Sequence, residues 1–169
     1  PIVVTDRLNE DVDVPAVAVD HAGGARVATE HLIEHGRRVF ACISGSSETS
    51  TAQARATGWA HALADAGIPV DRDQIAFVEF TAEAGWAATR ALLKRSPDID
   101  ALFVASDMQA VGALRALADS GRRVGQDVSV VSFDGIRLGD YISPRLTTMA
   151  QPFEAISTAV VGRLLEGIE

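Results

Sequence analysis

Cysteine, clustered basic residues and long apolar runs are all scarce in this sequence. Cys42 is the single cysteine, so an internal disulfide is excluded, and its apolar surroundings VFACI favour a buried strand residue over a nucleophile. Only 15 lysines and arginines oppose 23 aspartates and glutamates, for a net charge of −8, which argues against nucleic-acid binding by this segment. No apolar run approaches the ~20 residues of a membrane helix, and no export signal is evident. We therefore expect no membrane partner and a cytoplasmic location.

The sequence does contain a regular alternation of strand-like and helix-like segments over its 169 residues. Apolar residues make up 47% and charged residues 22%, which are the proportions of a globular chain. Short apolar runs alternate with amphipathic stretches that end at glycine, as at Gly36 and Gly121. This order predicts an α/β fold, a doubly wound parallel sheet with helices on both faces.

Two of the predicted strands stop at an aspartate. Residues 101–107 read ALFVASD and residues 128–134 read VSVVSFD, so the apolar runs end at Asp107 and Asp134. Nearly continuous apolar strands are typical of parallel sheets that are buried on both faces. Ligands of open parallel sheets bind beyond the carboxyl ends of the strands. The strand ends therefore predict a small-molecule site at that edge of the sheet.

The two ends of the chain fit this single sheet less well. A strand over residues 2–5 precedes the main unit, and a last helix follows the break at Gln151-Pro152. Neither end supplies enough strands to build a second sheet. We therefore expect one complete lobe with remnants of another, as in a piece of a longer protein.

Several longer runs resemble one protein family. They include VAVDHAGGARVATEHLIEHGRRVFACISG, RATGWAHALADAGI and YISPRLTTMAQPF, and the most specific patterns are D-V-S-V-V-x-F-D and S-P-x-L-T-T-x-x-Q-P. In unbroken order over essentially all of the chain, they resemble the effector-binding core of LacI/GalR-type transcription regulators. The resemblance implies a periplasmic-binding-protein-like fold of type I, with a DNA-binding helix-turn-helix that lies outside this chain.

The resemblance also implies how the chain is divided and assembled. Residues 1–37 would be a remnant of the N-terminal lobe, residues 38–149 the C-terminal lobe, and residues 150–169 a crossover and helix that return to the N-terminal lobe. Members of the family bind their effector between two lobes and dimerise. The matching dimer face includes Val111, Leu114 and Tyr141.

Three residues match the principal ligand contacts of the family. Arg55 matches the arginine of R-x-x-G-[FYW], whose guanidinium can give two parallel hydrogen bonds, whereas its spacing alone favours a solvated surface arginine. Asp134 matches a carboxylate that accepts hydrogen bonds from hydroxyls, although an aspartate before glycine also commonly starts a turn. Phe80 corresponds to an aromatic that stacks on the ligand ring, with a plain core phenylalanine as the alternative.

Four further residues match ligand positions of the same site. Thr51 corresponds to a hydroxyl contact and is also a candidate helix N-cap. Ser106 stands where many relatives have asparagine, a departure that removes a side-chain amide, and it can instead cap the following helix. Asp20 and Phe153 match cleft-lining positions of some relatives.

Three short patterns point to other chemistry, and each is incomplete. His31 to His35 spell H-x-x-E-H, a zinc-binding pattern, but no third ligand is evident and the residues fall in an amphipathic helix. The run around Ser44, ISGS, lacks the second glycine of a nucleophile elbow. Gly23-Gly24 does not complete G-x-G-x-x-G. We therefore predict no catalytic residue, no metal and no cofactor.

Together these features predict the effector-binding and dimerisation region of a bacterial LacI-type transcription regulator, which is not an enzyme. Its expected partners are a small sugar-like effector, a second copy of the chain, and operator DNA through a helix-turn-helix outside the chain. A periplasmic-type sugar-binding protein of a transporter is the first alternative, because its ligand site would look alike. A doubly wound hydrolase or reductase is the more distant one.

Overall fold

The structure is a computed structural model that describes residues 1–6 and 14–167. In chain order the strands are β1 (Val4–Thr5), β2 (Ala16–Val17), β3 (Phe40–Ser44), β4 (Ile75–Phe77), β5 (Ala101–Val104), β6 (Ser129–Asp134) and β7 (Thr147–Ala150). The helices are α1 (His21–Glu34), α2 (Ser50–Asp65), α3 (Ala82–Arg95), α4 (Asp107–Asp119) and α5 (Phe153–Glu166). Contacts divide the chain into a larger unit, His21–Ala150, and a smaller one that combines Pro1–Asp20 with Gln151–Glu169.

The larger unit is built on a parallel sheet of five strands. Their order across the sheet is β4-β3-β5-β6-β7, and every neighbouring pair is parallel. Within this sheet the chain enters at β3, next to one edge, and forms that edge with β4. It then crosses back over β3 and adds β5, β6 and β7 in order on the other side. Helices cover both faces, so the predicted doubly wound α/β fold is confirmed.

The alternation of side chains along the strands divides the apolar core into two layers. One layer packs α1 and α2 against one face of the sheet, and it includes Leu32, Phe40, Cys42, Trp59, Phe103 and Phe133. The other packs α3 and α4 against the opposite face, and it includes Ala41, Ile43, Leu92, Leu102, Val104 and Leu117. Burial on both faces explains why the strands read as nearly continuous apolar runs.

The helix ends follow the sequence signals closely. Gly36 and Gly121 have φ of 76° and 73°, the left-handed conformation that ends a helix and that glycine adopts without steric cost. At the other ends, Thr81 Oγ1 accepts a hydrogen bond from the amide of Ala84 at 3.1 Å, and Ser106 Oγ accepts one from the amide of Gln109 at 3.2 Å. The predicted capping role of Ser106 is confirmed, and Thr81 caps α3 in the same way.

One predicted detail of the chain path is wrong. Thr51 is not an N-cap, because α2 already begins at Ser50 and the extended residue before it is Thr49, with φ of −99° and ψ of 131°. β4 ends at Phe77, three residues before Phe80. β4 stops there because its neighbour β3 ends at Ser44, whose carbonyl accepts the last bond from the amide of residue 78 at 3.1 Å.

Helices α3 and α4 cross with their backbones in contact. A Cβ on Gly112 would lie 1.8 Å from the carbonyl oxygen of Ala82, and one on Gly85 would lie 2.1 Å from that of Gln109. Only glycine permits this approach at either position. The crossing holds the first turn of α4, which carries Gln109, against the start of α3.

The smaller unit pairs two short strands with one helix. β1 and β2 are parallel, with Val4 opposite Ala16 and Thr5 opposite Val17, and α5 packs against β2. No residue of α5 is buried, and its exposed apolar side chains include Phe153, Val161 and Leu165.

The boundary between the units falls after Asp20, earlier than the boundary at residue 37 that the resemblance implies. The reason is α1, which packs along α2 and against β6 within the larger unit. The larger unit ends at Ala150. The assignment of these units to the lobes of a longer protein stays a prediction.

Candidate ligand-binding site

Polar side chains collect at the carboxyl edge of the sheet in the larger unit. β5 leads through Ser106 into α4, β6 ends at Asp134, and α2 begins a short loop after β3. Helix N-termini carry a partial positive charge, and the first turns of α2 and α4 start at this edge. The edge is therefore suited to polar or negatively charged groups of a ligand.

Arg55 is held from several sides at this edge, and only 5% of the residue is exposed. Its Nη1 donates to the carbonyl of Ala105 and lies 3.4 Å from Asp134 Oδ1. Its Nε and Nη2 lie 3.3 and 3.2 Å from His21 Nδ1. The surface alternative for Arg55 is therefore wrong, because burial and these contacts fix the guanidinium before any ligand arrives.

Two aromatic rings flank the Arg55 guanidinium. Its carbon Cζ lies 4.0 Å from the ring centroid of Phe133 and 6.0 Å from that of Phe80. A cation over an aromatic face is attracted by the ring electrons, an effect of ~0.5–2 kcal/mol that grows as water is excluded. Phe133 is buried, whereas Phe80 is half-buried, so Phe80 is the ring that keeps exposed surface.

Asp134 occupies a strained backbone position at the end of β6. Its φ is 120°, a region that side-chain-bearing residues rarely adopt, and Gly135 follows with φ of 76°. Such positions cost on the order of 1–3 kcal/mol and are concentrated at functional sites. The side chain is 22% exposed, so the carboxylate lies beside Arg55 and still meets solvent.

Phe80 is seated on a glycine rather than in the core of the sheet. A Cβ on Gly45 would lie 2.0 Å from Cζ of the Phe80 ring, so the ring fills the space that a side chain at position 45 would need. Phe80 lies in the segment between β4 and α3, just before the cap Thr81. It joins the core only as a partly buried neighbour, which leaves the predicted stacking role open.

Ser106 and Gln109 form a hydrogen-bonded pair behind the site. The Ser106 hydroxyl donates to Gln109 Oε1 at 3.3 Å and accepts from the Gln109 amide at 3.2 Å. Gln109 is fully buried, and its Nε2 donates to the carbonyls of Ser44 and Glu79 at 3.1 and 3.0 Å. The pair thus ties the segments after β3, β4 and β5 together, and Ser106 itself is only 4% exposed.

The remaining predicted contacts are spread over both units. Thr51 lies half-buried in the first turn of α2, one turn before Arg55. Asp20 and Phe153 belong to the smaller unit, where both are exposed. The larger unit therefore brings together Arg55, Asp134 and Phe80.

Three residues of the site were not predicted from the sequence. His21 is buried against Arg55, and its ring lies 5.8 Å from that of Phe133. Little in the sequence indicates this role, because His21 is only a polar residue at the start of an amphipathic helix. Phe133 was visible only as the last apolar residue before Asp134. Gln109 had the clearest signal, because it lies one position before the apolar stripe of α4 and three after a cap.

A family model for the periplasmic binding protein-like domain matches residues 29–169. The chain belongs to this family. The predicted resemblance to LacI-type regulators is also confirmed, because solved structures described as LacI family regulators match nearly the whole chain.

Among curated relatives of this periplasmic binding protein-like chain is the HTH-type transcriptional regulator CelR of Thermobifida fusca. It is 39% identical over 155 residues, which cover 92% of this chain and 46% of CelR. The ribose operon repressor of Halalkalibacterium halodurans is 35% identical over 170 residues, covering 100% of this chain and 50% of the repressor. The chain spans about half the length of the curated relatives it matches.

Solved structures agree with this periplasmic binding protein-like assignment. A complex of the transcriptional regulator CelR with cellobiose superimposes with a TM-score of 0.88 at 37% identity, over 99% of this chain and 53% of that one. A LacI family transcriptional regulator from Mycobacterium smegmatis gives a TM-score of 0.89 at 33% identity, over 97% and 61%.

Other predicted features of the periplasmic binding protein-like chain are placed as follows. The rings of His31 and His35 lie 4.2 Å apart, and within residues 1–6 and 14–167 no three His, Cys, Asp or Glu side chains are grouped to hold a metal ion. Cys42 is fully buried, and burial raises the pKa of its thiol far above the usual range. Among the described residues, none of the helices is both long and apolar enough to cross a membrane.

The predicted dimer face lies on the larger unit. Val111 and Leu114 are half-buried on α4, and Tyr141 is 84% exposed in the segment between β6 and β7. Exposed apolar side chains of the same two segments are Met108 and Leu138, at 43% and 42%. An apolar surface of this kind suits a protein contact, and dimerisation through it stays a prediction.

Proposed function

We propose that this chain is the effector-binding and dimerisation region of a cytoplasmic LacI-type transcription regulator. The observation that carries the proposal is the Arg55–Asp134 pair at the carboxyl edge of the sheet. Relatives that match nearly the whole chain are named as transcription regulators or repressors. In this proposal a small sugar-like effector binds at that edge. Its binding alters the operator affinity of DNA-binding domains that lie outside this chain.

The chemistry of the edge favours a ligand with neighbouring hydroxyl groups. Asp134 supplies carboxylate oxygens that accept from hydroxyls, and Arg55 supplies N–H groups that donate to them. Phe80 supplies an apolar face on which the C–H face of a sugar ring can stack. Because Arg55 is already charge-balanced by Asp134, a neutral ligand brings no uncompensated charge into the site.

The regulator is favoured over the transport protein by the relatives, which carry regulator names over this same stretch of sequence. Dimerisation would occur through the face that includes Val111, Leu114 and Tyr141. An effector changes operator affinity only by the difference in its affinity for two conformations of the dimer. Arg55, Asp134, Phe80 and the proposed dimer face all lie on the larger unit.

The test uses a protein that carries this chain together with a helix-turn-helix and the rest of the effector-binding region. Its thermal unfolding is measured with a panel of cellobiose, ribose, other sugars, sugar phosphates and nucleosides. A specific ligand stabilises the native state according to its excess over the dissociation constant. Arg55→Lys and Asp134→Asn should each weaken the effective ligand about tenfold or more, because each removes charge-assisted hydrogen bonds.

Arg26→Lys is the matched control, because Arg26 is an exposed helical arginine paired with Glu30 on α1. It should leave ligand binding unchanged. A ligand that binds equally to all three variants would contradict the site. A ligand that depends on Arg55 and Asp134 but leaves operator binding unchanged would contradict the regulatory role and favour a transport function.

A further inference from the structure

A second cavity lies at the opposite, amino edge of the sheet in the larger unit. It has a volume of about 260 Å³ and is formed by the last turn of α1 and by the segments that lead into β6 and β7. Sites for small molecules begin at ~300 Å³, so the cavity is close to the size of a small metabolite. It is separate from the edge that carries Arg55, and none of the residues discussed above as ligand contacts lines it.

The polar lining of this cavity consists of donors without a carboxylate. His31 lies in the last turn of α1 and His35 directly follows that helix. Arg145 precedes β7, and Thr147 and Ser129 are the first residues of β7 and β6. Among the described residues that line the cavity, none is an aspartate or glutamate. An anion in this cavity would therefore meet no negative side chain in the lining.

Several of these donors retain capacity for a ligand. His35 Nδ1 lies 2.7 Å from the carbonyl oxygen of His31, so it must donate there, and Nε2 can donate to a phosphate oxygen when the ring is protonated, because both ring nitrogens then carry a hydrogen. Arg145 Nη2 bonds to Asp140 Oδ1 at 2.5 Å, and this engages only one of the five guanidinium N–H groups. Guanidinium and imidazolium groups bind phosphate oxygens well because their hydrogen bonds are charge-assisted.

The rest of the lining is apolar. Leu32, Val124, Val130 and Pro144 complete the wall beside the donors. Burying an apolar ligand body against such side chains is favourable by ~25 cal/mol per Å². The cavity therefore combines an anion site with a surface that inorganic phosphate cannot use.

We propose that this cavity binds a small organic phosphate ester. The phosphate group contacts His35 and Arg145, and the organic body lies against Leu32 and Pro144. Because α1 extends from this cavity to His21, which contacts Arg55, such a ligand occupies one end of a helix whose other end belongs to the effector site.

The experiment is an NMR titration of the 15N-labelled chain with glucose 6-phosphate, glucose and inorganic phosphate in separate arms. Glucose 6-phosphate should shift, saturably, the amides of residues 31–35, 124–130 and 145–147. His35→Ala and Arg145→Ala should each weaken that binding about tenfold, the usual effect of losing a charge-assisted hydrogen bond. Both side chains are largely exposed at the surface, so neither change should disturb folding.

His61→Ala is the matched control, because His61 is an exposed histidine on α2 outside the cavity. It should bind as the unmodified chain does. Failure of glucose 6-phosphate to shift these amides at millimolar concentration would overturn the proposal, as would shifts that persist unchanged in His35→Ala and Arg145→Ala. Equal affinity for inorganic phosphate would overturn the organic ester, and equal affinity for glucose would overturn the anion site.

Discussion

Replacing Gln109 with glutamate tests whether the buried amide behind the site holds it together. The two side chains have the same shape, so the change creates no cavity and alters only the hydrogen-bonding chemistry. Glutamine donates through Nε2 to the carbonyls of Ser44 and Glu79 at 3.1 and 3.0 Å. A carboxylate has no hydrogen to donate and would face both carbonyl oxygens with a negative charge.

The expected cost follows from burial. Gln109 is fully buried, and an uncompensated buried charge destabilises a protein by roughly 3–5 kcal/mol. The two carbonyls keep other donors, the amides of residue 78 for Ser44 and of Thr81 for Glu79, so their own loss is only ~1 kcal/mol each. The introduced carboxyl can escape part of the charge penalty by taking up a proton in the folded state. We therefore expect the lower end of the range, a loss of about 3 kcal/mol in the free energy of unfolding at pH 7.

The pH dependence has a definite sign. Burial near carbonyl oxygens raises the pKa of the introduced carboxyl above its unfolded value of ~4.3. Both states are protonated below that value, so the charge penalty is absent there. It appears as pH rises above ~4.3 and reaches its full size at the folded-state pKa. The deficit of the variant should therefore shrink to about 1 kcal/mol near pH 4, where the protonated carboxyl donates one hydrogen bond.

Urea unfolding of the chain at pH 7 and near pH 4 measures both quantities. Gln53→Glu is the matched control, because Gln53 also donates through Nε2 to a carbonyl, that of Ser47 at 2.8 Å, but is exposed on α2. Its cost should stay under ~0.5 kcal/mol. Equal stabilities of the two variants at pH 7, or a Gln109→Glu deficit that grows on acidification, would refute the reasoning.

Three further predictions concern packing and charge. Gly112→Ala should lower the free energy of unfolding by about 3 kcal/mol, because its Cβ meets a backbone oxygen of α3. Gly162→Ala should raise it by ~0.5–1 kcal/mol, because the space around this position of α5 is open. Chemical unfolding measures both. Cys42 should react with a thiol reagent only as fast as the chain opens, because it is fully buried. The hydrogen bonds from Arg123 hold the pKa of Asp127 below its usual range, and an NMR titration should find that Arg123→Gln raises it.

The sequence was a good guide wherever local pattern and fold agree. Some features have causes within a few residues of themselves. They are the short apolar strands, the helix ends at Gly36 and Gly121, and the cap at Ser106. Their positions were therefore predictable. Asp134 was placed at a strand end by the same logic, and the structure brings it to 3.4 Å from Arg55.

Features set by distant contacts were not predictable in this way. The role of Gln109 depends on carbonyls 65 and 30 positions away in the chain, and that of His21 on Arg55, 34 positions away. The boundary at Asp20 depends on which neighbour α1 packs against, and an amphipathic stripe does not specify its partner. For the same reason, the family resemblance predicted Arg55 as a ligand contact but gave no sign that it is anchored to Ala105.

The Phe80 ring packs directly on Gly45, so a substitution at either position affects the packing of the other. Any side chain at 45 would displace the ring, and a smaller residue at 80 would leave a hollow above the glycine. An exchange of bulk between them, with alanine at 45 and a small residue at 80, would keep the segment packed while removing the aromatic ring. Retuning the chain toward a bulkier ligand therefore begins as a paired substitution across two loops, with the sheet beneath left as it is.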